Sequence, residues 1–207
     1  MRVEAFLRAI VAISVLLGAG FAPRSAQAEP VWTYGWPFGL SIPADSEETR
    51  GWMDDALIFV PDHFTIQDVD VMVDLTHTLL FDLKLEITSP SGTTVVLNMY
   101  DPFYDYFEGQ NYEGTIFDDE AEVSISDGEA PFTGRFRPVD LEGLSAFDGE
   151  DAYGVWTLSI FDAFVGDTGT LTYFAVALTT PEPATAVLLL AGIGLIKRRR
   201  SARRTGR

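Results

Sequence analysis

The 207-residue sequence contains no cysteine. That absence excludes disulfides, thiolate metal sites and cysteine nucleophiles. Histidine is nearly absent too, with only His63 and His77. A serine triad needs a histidine within hydrogen-bond reach of both a serine and an acid. No G-x-S-x-G nucleophile motif accompanies either histidine, so both are expected to be structural. The sequence also lacks a phosphate-cradling glycine loop, a zinc motif and a strict EF-hand loop. Carboxylates are plentiful, but no pair stands out as the acid and base of a glycosidase.

Positive charge is scarce where it matters most. Residues 29–180 hold 29 of the 31 acidic side chains but only Arg50, Lys84, Arg135 and Arg137 among the basic ones, a net charge of −25. Such a field repels nucleic acid and anionic lipid and favours cations. Nucleic acid is therefore excluded as a partner.

The two ends have a different composition. Arg2 and Arg8 precede an apolar run from Ala9 to Ala19, and Ala26-Gln27-Ala28 follows. A basic start, a short apolar run and an A-x-A site make a secretory signal peptide of residues 1–28, cut by signal protease before Glu29. At the other end, Pro181-Glu182-Pro183 is followed by 13 apolar residues, 184–196, and then Lys197-Arg198-Arg199-Arg200. The prolines hold an extended stalk. The apolar run is short for a span, which needs ~20 residues, and the basic cluster favours the cytoplasmic side. The expectation is a short C-terminal apolar helix that anchors the chain transiently.

Between the ends the pattern is β. Val69, Val71, Val73 and Leu75 alternate with polar residues, as do Leu83, Leu85 and Ile87. Residues 94–99 are β-branched and apolar, Val123 and Ile125 alternate with serines, and Trp156, Leu158 and Ile160 share a face. Phe174, Val176 and Leu178 form the inner face of a last strand. Ser89-Pro90-Ser91-Gly92 and Gly166-Asp167-Thr168-Gly169 read as tight turns. Pro131 to Gly134 and Ala152 to Gly154 read as longer connections. No helical stripe appears. Many short strands with one apolar face predict a jelly-roll-like β-sandwich of two antiparallel sheets. Residues 99–114 read as a loop in which Phe103, Tyr104 and Tyr106 sit among acids. Such rings can stack on sugars or cap one end of the sandwich.

Several blocks carry a family resemblance: Asp74-Leu75-Thr76-His77-Thr78, Asp82-Leu83, Ser89-Pro90-Ser91-Gly92-Thr93, Phe117 to Ala121, Gly154-Val155-Trp156-Thr157-Leu158, Asp162, and Gly166 to Leu171. In this order they resemble the P domain, the jelly-roll module that follows the catalytic domain in subtilisin-like proprotein convertases. The resemblance covers about residues 42–178 of a domain spanning 29–180. It implies a β-sandwich without catalytic residues of its own. Residues 181–204 resemble a PEP-CTERM sorting signal, which implies processing at Pro181, Glu182 and Pro183 by an exosortase-type membrane protease.

Calcium takes six to eight oxygens from carboxylates and carbonyls. Asp118, Asp119 and Glu120 sit before a strand, and Asp162 and Asp167 flank a turn. Calcium carried by some P domains makes these five acids candidate ligands if their loops meet at one end. The alternative is that they cap turns and face water. The functional expectation is an exported, non-catalytic protein of the cell surface or an exopolysaccharide matrix. Two rivals remain: an accessory module for a serine-type endopeptidase on another chain, and a carbohydrate-binding module.

Overall fold

The alternating residues of 69–75 become the centre of a sandwich, because a strand with period two presents one wholly apolar face. The computed structural model describes residues 30–43, 50–100 and 109–181. The expected signal peptide, the Phe103, Tyr104 and Tyr106 cluster, Glu182 and Pro183, and the apolar tail lie outside them.

Among the described residues ten strands follow in chain order: β1 (Val31–Ile42), β2 (Gly51–Trp52), β3 (Ala56–Val60), β4 (Asp68–His77), β5 (Leu83–Thr88), β6 (Thr94–Asn98), β7 (Tyr112–Phe117), β8 (Phe132–Phe136), β9 (Gly154–Asp162) and β10 (Gly169–Thr179). One sheet has the order β1-β10-β4-β7-β8. The other runs β2-β9-β5-β6, with β3 continuing the β2 edge along β9. Pairing is antiparallel except between β7 and β8, which are parallel. Among the described residues the only helical elements are short 3-10 turns at Leu80–Asp82, Ile125–Asp127 and Gly143–Phe147.

The core lies between the sheets. Val69, Val71, Val73 and Leu75 of β4 and Leu171, Phe174, Val176 and Leu178 of β10 face Leu85 and Ile87 of β5 and Trp156, Leu158 and Ile160 of β9. Leu171 and Phe174 are three residues apart, which breaks a strict alternation. A bulge at Thr172 absorbs the extra residue, since Leu171 pairs Leu75 while Tyr173 pairs Asp74. Trp156 is fully buried, edge-on to Phe147 at 5.1 Å, and its indole N–H donates to the Ala152 carbonyl at 3.2 Å. The Ser89 turn closes as expected: the Gly92 N–H donates to Ser89 O at 3.0 Å, with Gly92 at φ 90°, where glycine carries no Cβ penalty.

Two expectations about local structure are corrected. Pro131 to Gly134 is not a plain connection, because Phe132 opens β8 with its side chain buried. Val123 and Ile125 form no strand. Ile125 begins a 3-10 turn capped by the Ser124 hydroxyl, while Val123 is exposed. The apparent alternation there is a cap and a turn.

Candidate functional site

β4 carries acid chemistry at both of its ends, and the two ends behave differently. At the first, Arg135 of β8 donates through Nη1 to both carboxylate oxygens of Asp70 at 3.0 Å and to Asp118 Oδ2 at 2.5 Å. Burial works against the Asp118 charge, but hydrogen bonds from Arg135 and the Glu120 amide hold its carboxyl below the usual range. Glu120 is pushed up to about 7 by burial and by the neighbouring Asp118. Asp119 turns away and caps the Gly143–Phe147 turn, accepting from Leu144 N at 2.9 Å and from Ser145 N and Oγ at 2.7 Å each. Gly143 sits at φ 61°, and a side chain there would run into the Asp119 carboxylate.

At the other end, His77 closes β4 and is sealed against Asp162, with Nε2 3.3 Å from Asp162 Oδ2 and neither side chain exposed. Its Nδ1 lies 2.8 Å from the Leu79 carbonyl. Asp162 Oδ1 accepts from Phe164 N at 3.1 Å. Asp82 comes in from the Leu80–Asp82 turn and is buried, with Oδ2 lacking any hydrogen-bond partner. Burial first, then the charges of Asp162 and Asp167, push its carboxyl up to about 6. Asp167 accepts from the Thr78 hydroxyl at 2.7 Å, which in turn accepts from Thr168 N at 3.1 Å.

The five acids singled out from the sequence are therefore not one site. Asp118, Asp119 and Glu120 lie by Val71 and Phe117, whereas Asp162 and Asp167 lie by His77. Roughly 20 Å of β4 separates the two groups at about 3.4 Å per residue. In the first group Asp118 accepts from Arg135 and Asp119 from the turn it caps. The second group gains Asp82, which was read only as part of a family block. Its signal was a carboxylate just before an apolar strand start. Among the described residues, no three Asp, Glu or His side chains are arranged as a ready metal shell.

Both histidines have carboxylate partners. His63 pairs with Asp151 at 2.8 Å on the surface and stacks on Tyr153 at 4.0 Å. The buried His77 has no serine among its hydrogen-bond partners.

Residues 66–178 match the family model described as the proprotein convertase P-domain, and residues 179–204 match the PEP-CTERM protein-sorting motif. No curated protein matches the chain. Among solved structures, it is similar to the serine protease of Aeromonas sobria, at 18% identity and a TM-score of 0.45, covering 77% of this chain and 29% of that one. The complex of that protease with its chaperone gives 17% identity and a TM-score of 0.45, covering 83% and 29%. The chain thus spans less than a third of the length of the protease chains it matches.

Proposed function

This chain belongs to the proprotein convertase P-domain family, and from that premise we propose that it is an exported P-domain module without catalysis of its own, delivered to the cell surface or matrix by its PEP-CTERM tail. The observation that carries this reading is the junction between the two matches. β10 ends at Thr179, and the sorting motif begins at that same residue. The Thr180 N–H still bonds the Pro30 carbonyl at 3.2 Å, so the start of the domain and the start of the tail are tied together. β10 is the last strand among the described residues, and in this reading Pro181 to Pro183 serve as a stalk that a membrane protease reaches. Burial of the His77–Asp162 pair and use of the His63–Asp151 pair on an open surface both support a non-catalytic reading.

The processing reading is tested by intact mass of protein from membrane and extracellular fractions. The exported form should begin at Glu29. Replacing Pro181 and Pro183 with alanine should leave uncut protein in the membrane fraction. Normal processing of that variant, or exported material that starts at Met1, overturns the reading.

Calcium, as part of the same proposal, would have to draw Asp82, Asp162 and Asp167 together at the His77 end of β4, since these side chains form no metal shell as they stand. The partnerless Asp82 Oδ2 supports it there, and calcium would supply charge compensation between the strand ends and the 163–168 loop.

A further inference from the structure

The outer face of the second sheet carries aromatic side chains at two stations. At one, Trp52 of β2 pairs with Phe161 of β9, their rings 5.0 Å apart, and the Lys84 ammonium lies 5.7 Å from the Trp52 ring. At the other, Phe59 of β3 meets Tyr153 edge-on at 5.6 Å, beside the outward Val155. Trp52, Phe59 and Tyr153 are 47%, 56% and 44% exposed. Six residues of β9 separate Phe161 from Val155, about 20 Å at the usual strand rise.

The strip between the stations carries one exposed apolar side chain, Leu57 of β3 opposite Thr157, and is otherwise polar. Ser159 donates to Asp55 at 2.7 Å, and Glu86, paired with Lys84, lies across from Ser159. Thr157 pairs with Thr88, whose hydroxyl shares a hydrogen bond with Thr94 at 2.8 Å. A dry protein interface would bury the Asp55 and Glu86 charges, at a desolvation cost that their present partners do not remove. A polyanion would meet a strongly acidic domain.

From this arrangement we infer that the face binds an extended, uncharged polysaccharide. Sugar rings stack their C–H faces on the two aromatic stations. Their hydroxyls donate to the carboxylates and share hydrogen bonds with the threonines between. An open sheet face suits a chain of sugars, and the separation of the stations sets a requirement for several units. The inference uses none of Phe103, Tyr104 and Tyr106, which lie outside the described residues, and it does not depend on how the tail is processed.

Affinity electrophoresis of the full chain tests the inference, using galactomannan, β-1,3-glucan and xylan as neutral probes and alginate as the anionic one. At least one neutral polymer should retard the protein, alginate should not, and the retardation should change little with salt, since uncharged contacts are not screened. Trp52→Ala and Tyr153→Ala should each weaken it by up to about tenfold, the scale of one ring contact. Leu141→Ser, an exposed apolar site elsewhere, should leave it unchanged. Circular dichroism melts confirm that each variant is folded, and Trp52→Phe with retained binding serves where Trp52→Ala does not fold. Absence of retardation by every neutral polymer, retardation by alginate alone, or equal binding by the folded Trp52→Ala and Tyr153→Ala variants overturns the inference. A concentration-dependent dimer broken by Trp52→Ala would also overturn it, by assigning the face to a second copy.

Discussion

Asp119 takes both the amide and the hydroxyl of Ser145 into one carboxylate oxygen, each at 2.7 Å, which fixes the Gly143–Phe147 turn to the end of β7. Its role is that of a cap. Asp119→Ala should cost about 1–2 kcal/mol, the usual range for a lost side-chain cap. Chemical denaturation reads the loss, which should be the same with calcium or chelator present. A loss seen only with calcium would make Asp119 a ligand instead.

The Asp82 carboxyl gives the domain a pH dependence of known sign. Its folded pKa, about 6, lies above the ordinary carboxylate value, because of burial and of Asp162 and Asp167 nearby. The folded chain therefore holds this proton more tightly than the unfolded chain. The stability linked to it is fully present at low pH and is lost as pH rises through about 6. In chelator, the melting temperature of Asp82→Asn should exceed that of the parent at pH 7.5, and the gap should close toward pH 5. Glu120, pushed up to about 7, contributes in the same direction, so the difference between the two proteins is the informative quantity. A gap independent of pH would contradict the assignment.

Calcium at this end of β4 should raise the melting temperature of the parent at pH 7.5, through preferential binding to the folded state. The shift should vanish in Asp82→Asn and persist in Asp118→Asn. Equal shifts in all three proteins would place any cation elsewhere.

Trp156 should be the costliest single truncation in the core. It is fully buried, and its ring contacts and indole hydrogen bond are both lost on truncation. Trp156→Ala should cost about 3–5 kcal/mol, visible as a large drop in the denaturant midpoint.

Much of the fold was legible because alternation reports a half-buried strand directly. Val69 to Leu75, Leu83 to Ile87, Trp156 to Ile160 and Phe174 to Leu178 all face the core as their spacing predicts. β1 was not legible. It is an edge strand whose Trp32 and Trp36 remain exposed, so burial leaves little pattern in its sequence. β8 was hidden behind Pro131 and Gly134, which are turn residues in isolation. The acids were visible individually, but loop order alone does not say which loops share an end. That depends on strand direction, which sends Asp118 and Asp162 to opposite ends of β4. The aromatic face was invisible for a related reason, since Trp52, Phe59 and Tyr153 come from three separate segments and meet only through β9.

The hydrogen bond between Thr180 and Pro30 also sets how the domain carries load. β10 is bonded along its length to β1 on one side and β4 on the other, and the tail departs from its end. While the tail holds the chain at the membrane, as proposed, a pull on it would run along β10 and be shared by two antiparallel ladders in shear, instead of peeling one pair at a time. In that state Thr179 and Asp68 would form the proximal pole of the domain, and His77, Asp82 and Asp162 the distal one. Under flow, the end with the buried carboxyls would trail outward while the entry and exit of the chain stay at the anchor.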